Sequence, residues 1–152
     1  MMDASVARAI MDAEAMPMAR ALGIGDFDLR LAVVTVEAGK RALCSTHTGY
    51  QWVRVELDPA QHGDEAALRE TLRHELLHGT HAPWTHYSAT MEAALGEAWP
   101  DGLDDEAYAH AAEQHVRRLE KMLDAIGLTP ERLVEIGRTL PAGGGGRVLW
   151  AW

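Results

Sequence analysis

The residues best suited to chemistry are His74, Glu75 and His78, which form the pattern His-Glu-x-x-His (HExxH). On a helix, residues four positions apart lie within about 40° of each other, so both imidazoles face one side, a turn apart. Two neutral imidazoles at this spacing are typical ligands of zinc, which in catalytic sites takes three protein ligands and keeps a position for water. Glu75 is then placed to take a proton from that water. The pattern predicts a hydrolytic zinc site.

The segment around the motif has the two faces that a zinc-carrying helix needs. Leu68, Leu72 and Leu76 recur at intervals of four and fall opposite the histidines, where a core would receive them. Asp64 is the expected N-cap, and the helix should end near Gly79. The alternative, a helix with two surface histidines and an ordinary glutamate, is disfavoured by this division of faces. We therefore predict an anchored helix that presents two imidazoles.

The chain before this helix favours one helix and then strands. Residues 3–22 are rich in alanine and methionine at helical spacing, and Pro17 should kink or divide that helix. Period-two alternation then predicts three strands, at residues 27–37, 41–47 and 50–57. The turn residues Ala38, Gly39 and Lys40 predict a hairpin between the first two strands.

The composition limits the class of protein. A chain of 152 residues with 47% hydrophobic and 24% charged residues is expected to form one globular domain. The net charge of −9 disfavours a nucleic-acid partner. No apolar run approaches the roughly 20 residues of a membrane span, and the first residues do not look like a secretory signal. The single cysteine, Cys44, excludes an internal disulfide and favours a reducing compartment. We expect a cytoplasmic enzyme that contacts neither nucleic acid nor membrane.

The order of a helix, three short strands and the HExxH helix resembles the upper subdomain of zincin metallopeptidases, and of their gluzincin branch in particular. In that family an antiparallel edge strand beside the motif helix holds an extended substrate peptide. The resemblance implies that residues 50–57 form this edge. It also implies a zinc-dependent metallopeptidase that acts on a peptide or protein substrate, in which His74 and His78 bind Zn²⁺ and Glu75 is the general base on the zinc-activated water.

The fold implied is α+β and zincin-like: a small antiparallel three-stranded sheet packed on the HExxH helix, followed by an all-helical C-terminal half. Amphipathic patterns predict the later helices at residues 104–126 and 129–140. Residues 1–142 should form a single domain, and residues 143–152 a glycine-rich linker with an apolar tail. Trp150 in this tail is expected to dock on the domain or, alternatively, to enter the active cleft.

The third zinc ligand is left open between several downstream residues. Glu97 is preferred, because it follows His78 after 18 residues, the spacing of aminopeptidase-type gluzincins, and the run around it is similar to the second motif of that family. Glu92 is the next candidate. If its helix runs antiparallel to the motif helix, Glu92 lies at the level of the metal. Glu106, at the start of the following helix, and His86, in the loop after the motif, complete the candidates.

Two other classes of function compete with the enzyme. One is a regulatory or binding module of phage origin on a zincin scaffold, with structural zinc or none. The other is a metal-free helical interaction protein. Zinc content distinguishes the metal-free interaction protein from the enzyme. Substitution of Glu75 distinguishes the regulatory or binding module from the enzyme.

Overall fold

A computed structural model describes residues 2–37, 39–47, 51–81, 94, 105–142 and 145–150, with residues 105 and 106 described for the backbone only. The described helices are α1 (Ala4–Ala21), α2 (Glu65–Gly79), α3 (Asp105–Ala125) and α4 (Pro130–Thr139). The strands are β1 (Asp28–Val33), β2 (Ala42–His47), β3 (Trp52–Leu57) and β4 (Val148–Trp150). These elements form an α+β fold, as predicted.

The sheet is mixed and four-stranded, in the order β2-β3-β1-β4. Strand β1 runs parallel to both β3 and β4, and only β2 and β3 pair antiparallel. The predicted antiparallel three-stranded sheet is therefore wrong, and so is the hairpin at residues 38–40, because β1 and β2 are not neighbours. Strand β1 buries both Leu31 and Ala32, which point to opposite faces, so both faces of the sheet are covered there, as is typical of parallel strands.

Among the described residues, strand β2, and not the predicted β3, is the edge of the sheet beside the HExxH helix. Along β2 half-buried and exposed residues alternate, as expected of a strand with one face toward solvent. Strand β3 lies between β2 and β1, and its Val53, Val55 and Leu57 are fully buried. Since β2 packs against α2, its backbone borders the face that carries the histidines.

The segment expected to be a tail contributes strand β4 at the other edge of the sheet. The backbone N–H of Leu29 donates to the carbonyl of Arg147 at 2.7 Å. The indole Nε1 of Trp150 donates to Asp12 of α1 at 2.6 Å, and the guanidinium of Arg8 lies 4.2 Å from the centroid of the indole. Trp150 therefore packs on α1, at the edge of the sheet opposite β2, rather than in a cleft beside the histidines. Trp152 lies outside the described residues.

Helix α2 is anchored as the leucine spacing predicted. Leu68, Leu72 and Leu76 are fully buried in the core, and the side chain of Asp64 accepts a hydrogen bond from the N–H of Ala67, which confirms the N-cap. At the other end a Cβ on Gly79 would lie 2.8 Å from Ile24 Cδ1 and 3.0 Å from Val53 Cγ2. The lack of a side chain lets the end of the helix approach the sheet closely, one residue after His78.

Helix α3 is held against α2 by a buried arginine. The side chain of Arg73 is 2% exposed, and its Nη1 donates to Asp124 of α3 at 2.7 Å and to the carbonyl of Leu128 at 3.3 Å. Its Nη2 forms an ion pair with Glu70 at 2.8 Å. This clamp fixes which residues of α3 face the histidines. No helix in the described part of the chain is long and apolar enough to cross a membrane.

Candidate metal centre

Helices α2 and α3 bring three possible metal ligands together. The Nε2 atoms of His74 and His78 lie 3.3 Å apart, since four residues of helix place one imidazole above the other. Glu113 Oε2, on α3, lies 3.2 Å from His74 Nε2 and 3.3 Å from His78 Nε2. Three ligand atoms from two helices thus form a nearly equilateral triangle, and these residues form a group that could hold a metal ion.

The size of this triangle fits a tetrahedral zinc ion. Zinc lies about 2.0–2.1 Å from imidazole nitrogen and about 2.0–2.2 Å from carboxylate oxygen, so neighbouring ligand atoms of a tetrahedron are separated by about 3.3 Å. The three distances observed here, 3.2 to 3.3 Å, match one face of such a tetrahedron. A set of two histidines and one glutamate is also a donor set found in catalytic zinc sites, where the fourth position is open.

Two further side chains of α3 contact the ligands. The Nε of Arg117 donates to Glu113 Oε1 at 2.7 Å, which leaves Oε2 directed at the histidines. Glu120 Oε1 lies 3.2 Å from His74 Nδ1. Glu113, Arg117 and Glu120 are spaced four and three residues apart and therefore share one face of the helix. That face of α3 supplies both a possible ligand, Glu113, and the groups around it.

The two histidines differ in their electrostatic surroundings. The hydrogen bond to Glu120 raises the pKa of His74, and burial partly offsets this rise. The charges of Glu120, Glu75 and Glu113 raise this pKa further. Burial and the neighbouring charge of His74 lower the pKa of His78. His78 therefore has the stronger tendency of the two to be neutral, the form that binds metals, whereas His74 holds its proton more tightly.

Glu75 has the environment of a general base. Its side chain is buried, with 8% exposed, and lies at the wall of the cleft beside the histidines. Burial raises its pKa to about 7, although the charge of His74 opposes the rise. A carboxylate with a pKa near neutrality is a stronger proton acceptor than an ordinary glutamate. Burial therefore makes the carboxylate between the two histidines easier to protonate than an exposed glutamate.

A groove passes over this group of residues, between β2 and α3. Its larger part is a cavity of about 610 Å³ with an apolar wall of Leu43, Cys44, Tyr108, Ala109 and Ala112. An adjoining cavity of about 580 Å³ has charged walls, and both cavities share His74, Glu75 and Glu113. The three side chains thus lie in the middle of a continuous groove, apolar on one side and charged on the other.

The structure brings His74, Glu75 and His78 together in this groove, as the sequence predicted. The preferred third ligand, Glu97, and its rivals Glu92 and His86 lie outside the described residues.

Glu106 belongs to the first turn of α3, and its side chain is not among those described. Glu113 was missed by the sequence analysis. The available signal was its place in the polar line Glu113, Arg117 and Glu120, beside the apolar stripe of the same helix.

Comparison with known proteins leaves the family open. No family model matches the chain, and no curated protein or solved structure matches it significantly. The evidence for a metal centre is therefore the geometry itself: two imidazoles and a carboxylate with their ligand atoms 3.2 to 3.3 Å apart, beside a buried glutamate in an open groove.

Proposed function

We propose that the protein is a zinc-dependent metallopeptidase of the gluzincin kind, in which His74, His78 and Glu113 hold the ion and Glu75 is the general base. The observation that carries this proposal is the triangle of ligand atoms, whose edges of 3.2 to 3.3 Å match a tetrahedral zinc site. Glu113 takes the place that the sequence analysis assigned to Glu97.

The proposed chemistry divides between the ion and Glu75. Zinc, when bound, supplies Lewis acidity that lowers the pKa of a water molecule toward neutrality and polarises a carbonyl oxygen. Glu75, a buried carboxylate at the wall of the groove beside the histidines, accepts the proton of the attacking water. The protonated carboxyl then delivers this proton to the departing amine, so Glu75 leaves the cycle in its starting state. Its burial keeps bulk water from competing for the proton.

A peptide is the substrate that the surroundings favour. Strand β2 borders the groove, and among the described residues it pairs only with β3, so its other edge faces the groove. An extended peptide can add to such an edge through backbone hydrogen bonds, whatever its sequence. A peptide bound in this way would have one of its peptide bonds beside His74, Glu75 and Glu113.

The decisive experiment measures zinc content and peptide hydrolysis for the wild type and for Glu75→Gln. Protein loaded with zinc and dialysed should retain one ion per chain in both. Mass spectrometry of a diverse peptide mixture should show cleavage by the wild type and a loss of about 10²–10⁴-fold in the variant, the size of a general-base contribution. Glu135→Gln, which makes the same chemical change in an exposed residue of α4, is the matched control.

The outcomes separate the competing functions. Failure of the wild type to take up zinc would overturn the metal centre and leave the interaction protein. Stoichiometric zinc without hydrolysis of any peptide would favour the regulatory or binding module. Equal hydrolysis by wild type and Glu75→Gln would remove Glu75 from the mechanism.

A further inference from the structure

The imidazole of His74 is held at both ends by carboxylates of one helix. Its Nε2 lies 3.2 Å from Glu113 Oε2, and its Nδ1 lies 3.2 Å from Glu120 Oε1. The proposed function already gives Glu113 a role, as a metal ligand. Glu120 lies behind the ring, on the side away from the other two ligand atoms, and the proposed reaction gives it no part.

We propose that Glu120 is a positioning residue that accepts a hydrogen bond from Nδ1–H of His74 and thereby directs Nε2 to the metal. This inference rests on the proposed function. A neutral imidazole carries its proton on one nitrogen only, and the hydrogen bond made by one nitrogen determines which nitrogen is free to bind. With the proton at Nδ1 and Glu120 as its acceptor, the lone pair of Nε2 points into the triangle with His78 and Glu113.

The burial of this contact favours a role beyond a surface ion pair. The side chains of His74 and Glu120 are each 21% exposed, so water competes less for their hydrogen bond than it would on the surface. The exposed pair of Arg132 and Glu135, with side chains 59% and 61% exposed, is the contrasting case on α4. A carboxylate behind a ligating imidazole also increases the basicity of the nitrogen that faces the metal.

The position of Glu120 on α3 follows from helix geometry. Seven residues separate it from Glu113, which places both side chains within about 20° on the same face and about 10 Å apart along the axis. The imidazole lies between them, and the clamp of Arg73 on Asp124 holds α3 in register one turn further along. A single helix thus supplies one metal ligand and the orienting partner of another.

Zinc affinity tests this role directly, by competition with a chromophoric chelator. Glu120→Ala removes the acceptor and should weaken zinc binding 10–100-fold, the range known for the loss of such partners. Glu120→Gln keeps an acceptor oxygen at nearly the same volume and should recover most of this loss. Glu135→Gln should bind zinc as the wild type does. Thermal unfolding of the metal-free proteins shows whether the substitutions alter the fold itself.

A second readout reports on the hydrogen bond and not on stability. In the zinc-loaded wild type, long-range ¹H–¹⁵N NMR should show His74 protonated at Nδ1, with that proton protected from exchange with water. In Glu120→Gln the proton should remain visible but exchange faster, and in Glu120→Ala it should be lost to exchange.

These results distinguish a failure of the proposed role of Glu120 from a failure of the proposed zinc site. A wild type that takes up no zinc would overturn both. A wild type that binds zinc, with Glu120→Ala equal to it in affinity and in proton protection, would overturn the role of Glu120 alone. If Glu120→Ala does not fold, Glu120→Gln decides, since unchanged exchange of the Nδ1 proton in that variant would also contradict the proposal.

Discussion

His74 and Glu113 lie 39 positions apart in the chain, and their Nε2 and Oε2 atoms lie 3.2 Å apart in the groove. The contact crosses from α2 to α3 and closes the triangle that the two histidines begin. Because α3 is clamped to α2 by Arg73, the carboxylate is held there by packing as well as by its own hydrogen bonds. Which carboxylate meets the two histidines therefore depends on how two helices pack.

The first prediction concerns that ligand. Glu113→Ala should weaken zinc binding by at least about 100-fold, since a site of two histidines lacks the third donor that a catalytic zinc requires. Glu97→Ala should leave zinc affinity unchanged if Glu113 is the ligand. Chelator competition measures both variants under the same conditions. The reverse result, with Glu97→Ala deficient and Glu113→Ala normal, would restore the ligand preferred from the sequence.

Zinc affinity should rise with pH because the ion competes with a proton on His74. The hydrogen bond to Glu120 raises the pKa of that residue, so in mildly acidic solution its imidazole is protonated. Displacing one proton changes the apparent affinity by about tenfold per pH unit below that pKa. The pKa of His78 is lowered, so the ion competes with a proton less on His78 than on His74. Chelator competition from pH 5.5 to 8 measures the slope, and calorimetry in buffers of different ionisation heat counts the proton released.

A flat affinity profile over this pH range would contradict the proposal that zinc displaces a proton from His74 when it binds. Glu120→Ala provides a control, since losing the side chain removes the hydrogen bond that is the largest cause of the raised pKa. Its profile should level off at a lower pH than that of the wild type.

The third prediction is that Glu75→Gln stabilises the metal-free protein at high pH. Burial raises the pKa of Glu75 from 4.5 to about 7, so folding favours the neutral acid. The stability this provides is complete below pH 4.5 and is lost as the pH rises through 7, a change on the order of 3 kcal/mol. In the presence of a chelator, urea unfolding should show the variant more stable than wild type at pH 8 and similar at pH 4.5. A constant difference between the two pH values would show that Glu75 does not titrate as described.

The fourth prediction separates the terminal strand from the metal centre. Trp150→Ala removes the hydrogen bond to Asp12 and the stacking of Arg8, and should lower the free energy of unfolding by about 1–3 kcal/mol. Leu149→Ala, in the preceding and more exposed position, should cost less than about 0.5 kcal/mol. Neither should change zinc affinity, because β4 and β2 lie at opposite edges of the sheet. Zinc affinity that falls with Trp150→Ala would indicate that the tail reaches the site.

The local features of the fold could be predicted because they depend on neighbouring residues. The leucines of α2 recur at helical spacing, so their burial follows from a single periodicity. Asp64 and Thr129 cap their helices through side-chain oxygens that accept from N–H groups three residues ahead, a relationship contained in a few residues. For the same reason, HExxH was enough to place both imidazoles and Glu75 on one side of the helix.

The order of the strands could not be predicted, because β1 pairs with segments that lie far from it in the chain. The short connection after β1 suggested a hairpin, yet Leu31 and Ala32 are both buried, and β1 takes an inner position between β3 and β4. The same rearrangement moved the edge beside the motif from β3 to β2, and with it the strand that would receive a peptide.

By itself, the sequence determined a helix with two imidazoles on one side and a leucine face on the other, since both properties repeat along a single element. Only the tertiary structure decided which carboxylates meet them. Glu113 and Glu120 reach His74 because Arg73 fixes the packing of α3 on α2, and no spacing along the chain encodes that contact. The distances of 3.2 and 3.3 Å from Glu113 to the two histidines are a property of how helices pack, and they appear only when the chain has folded.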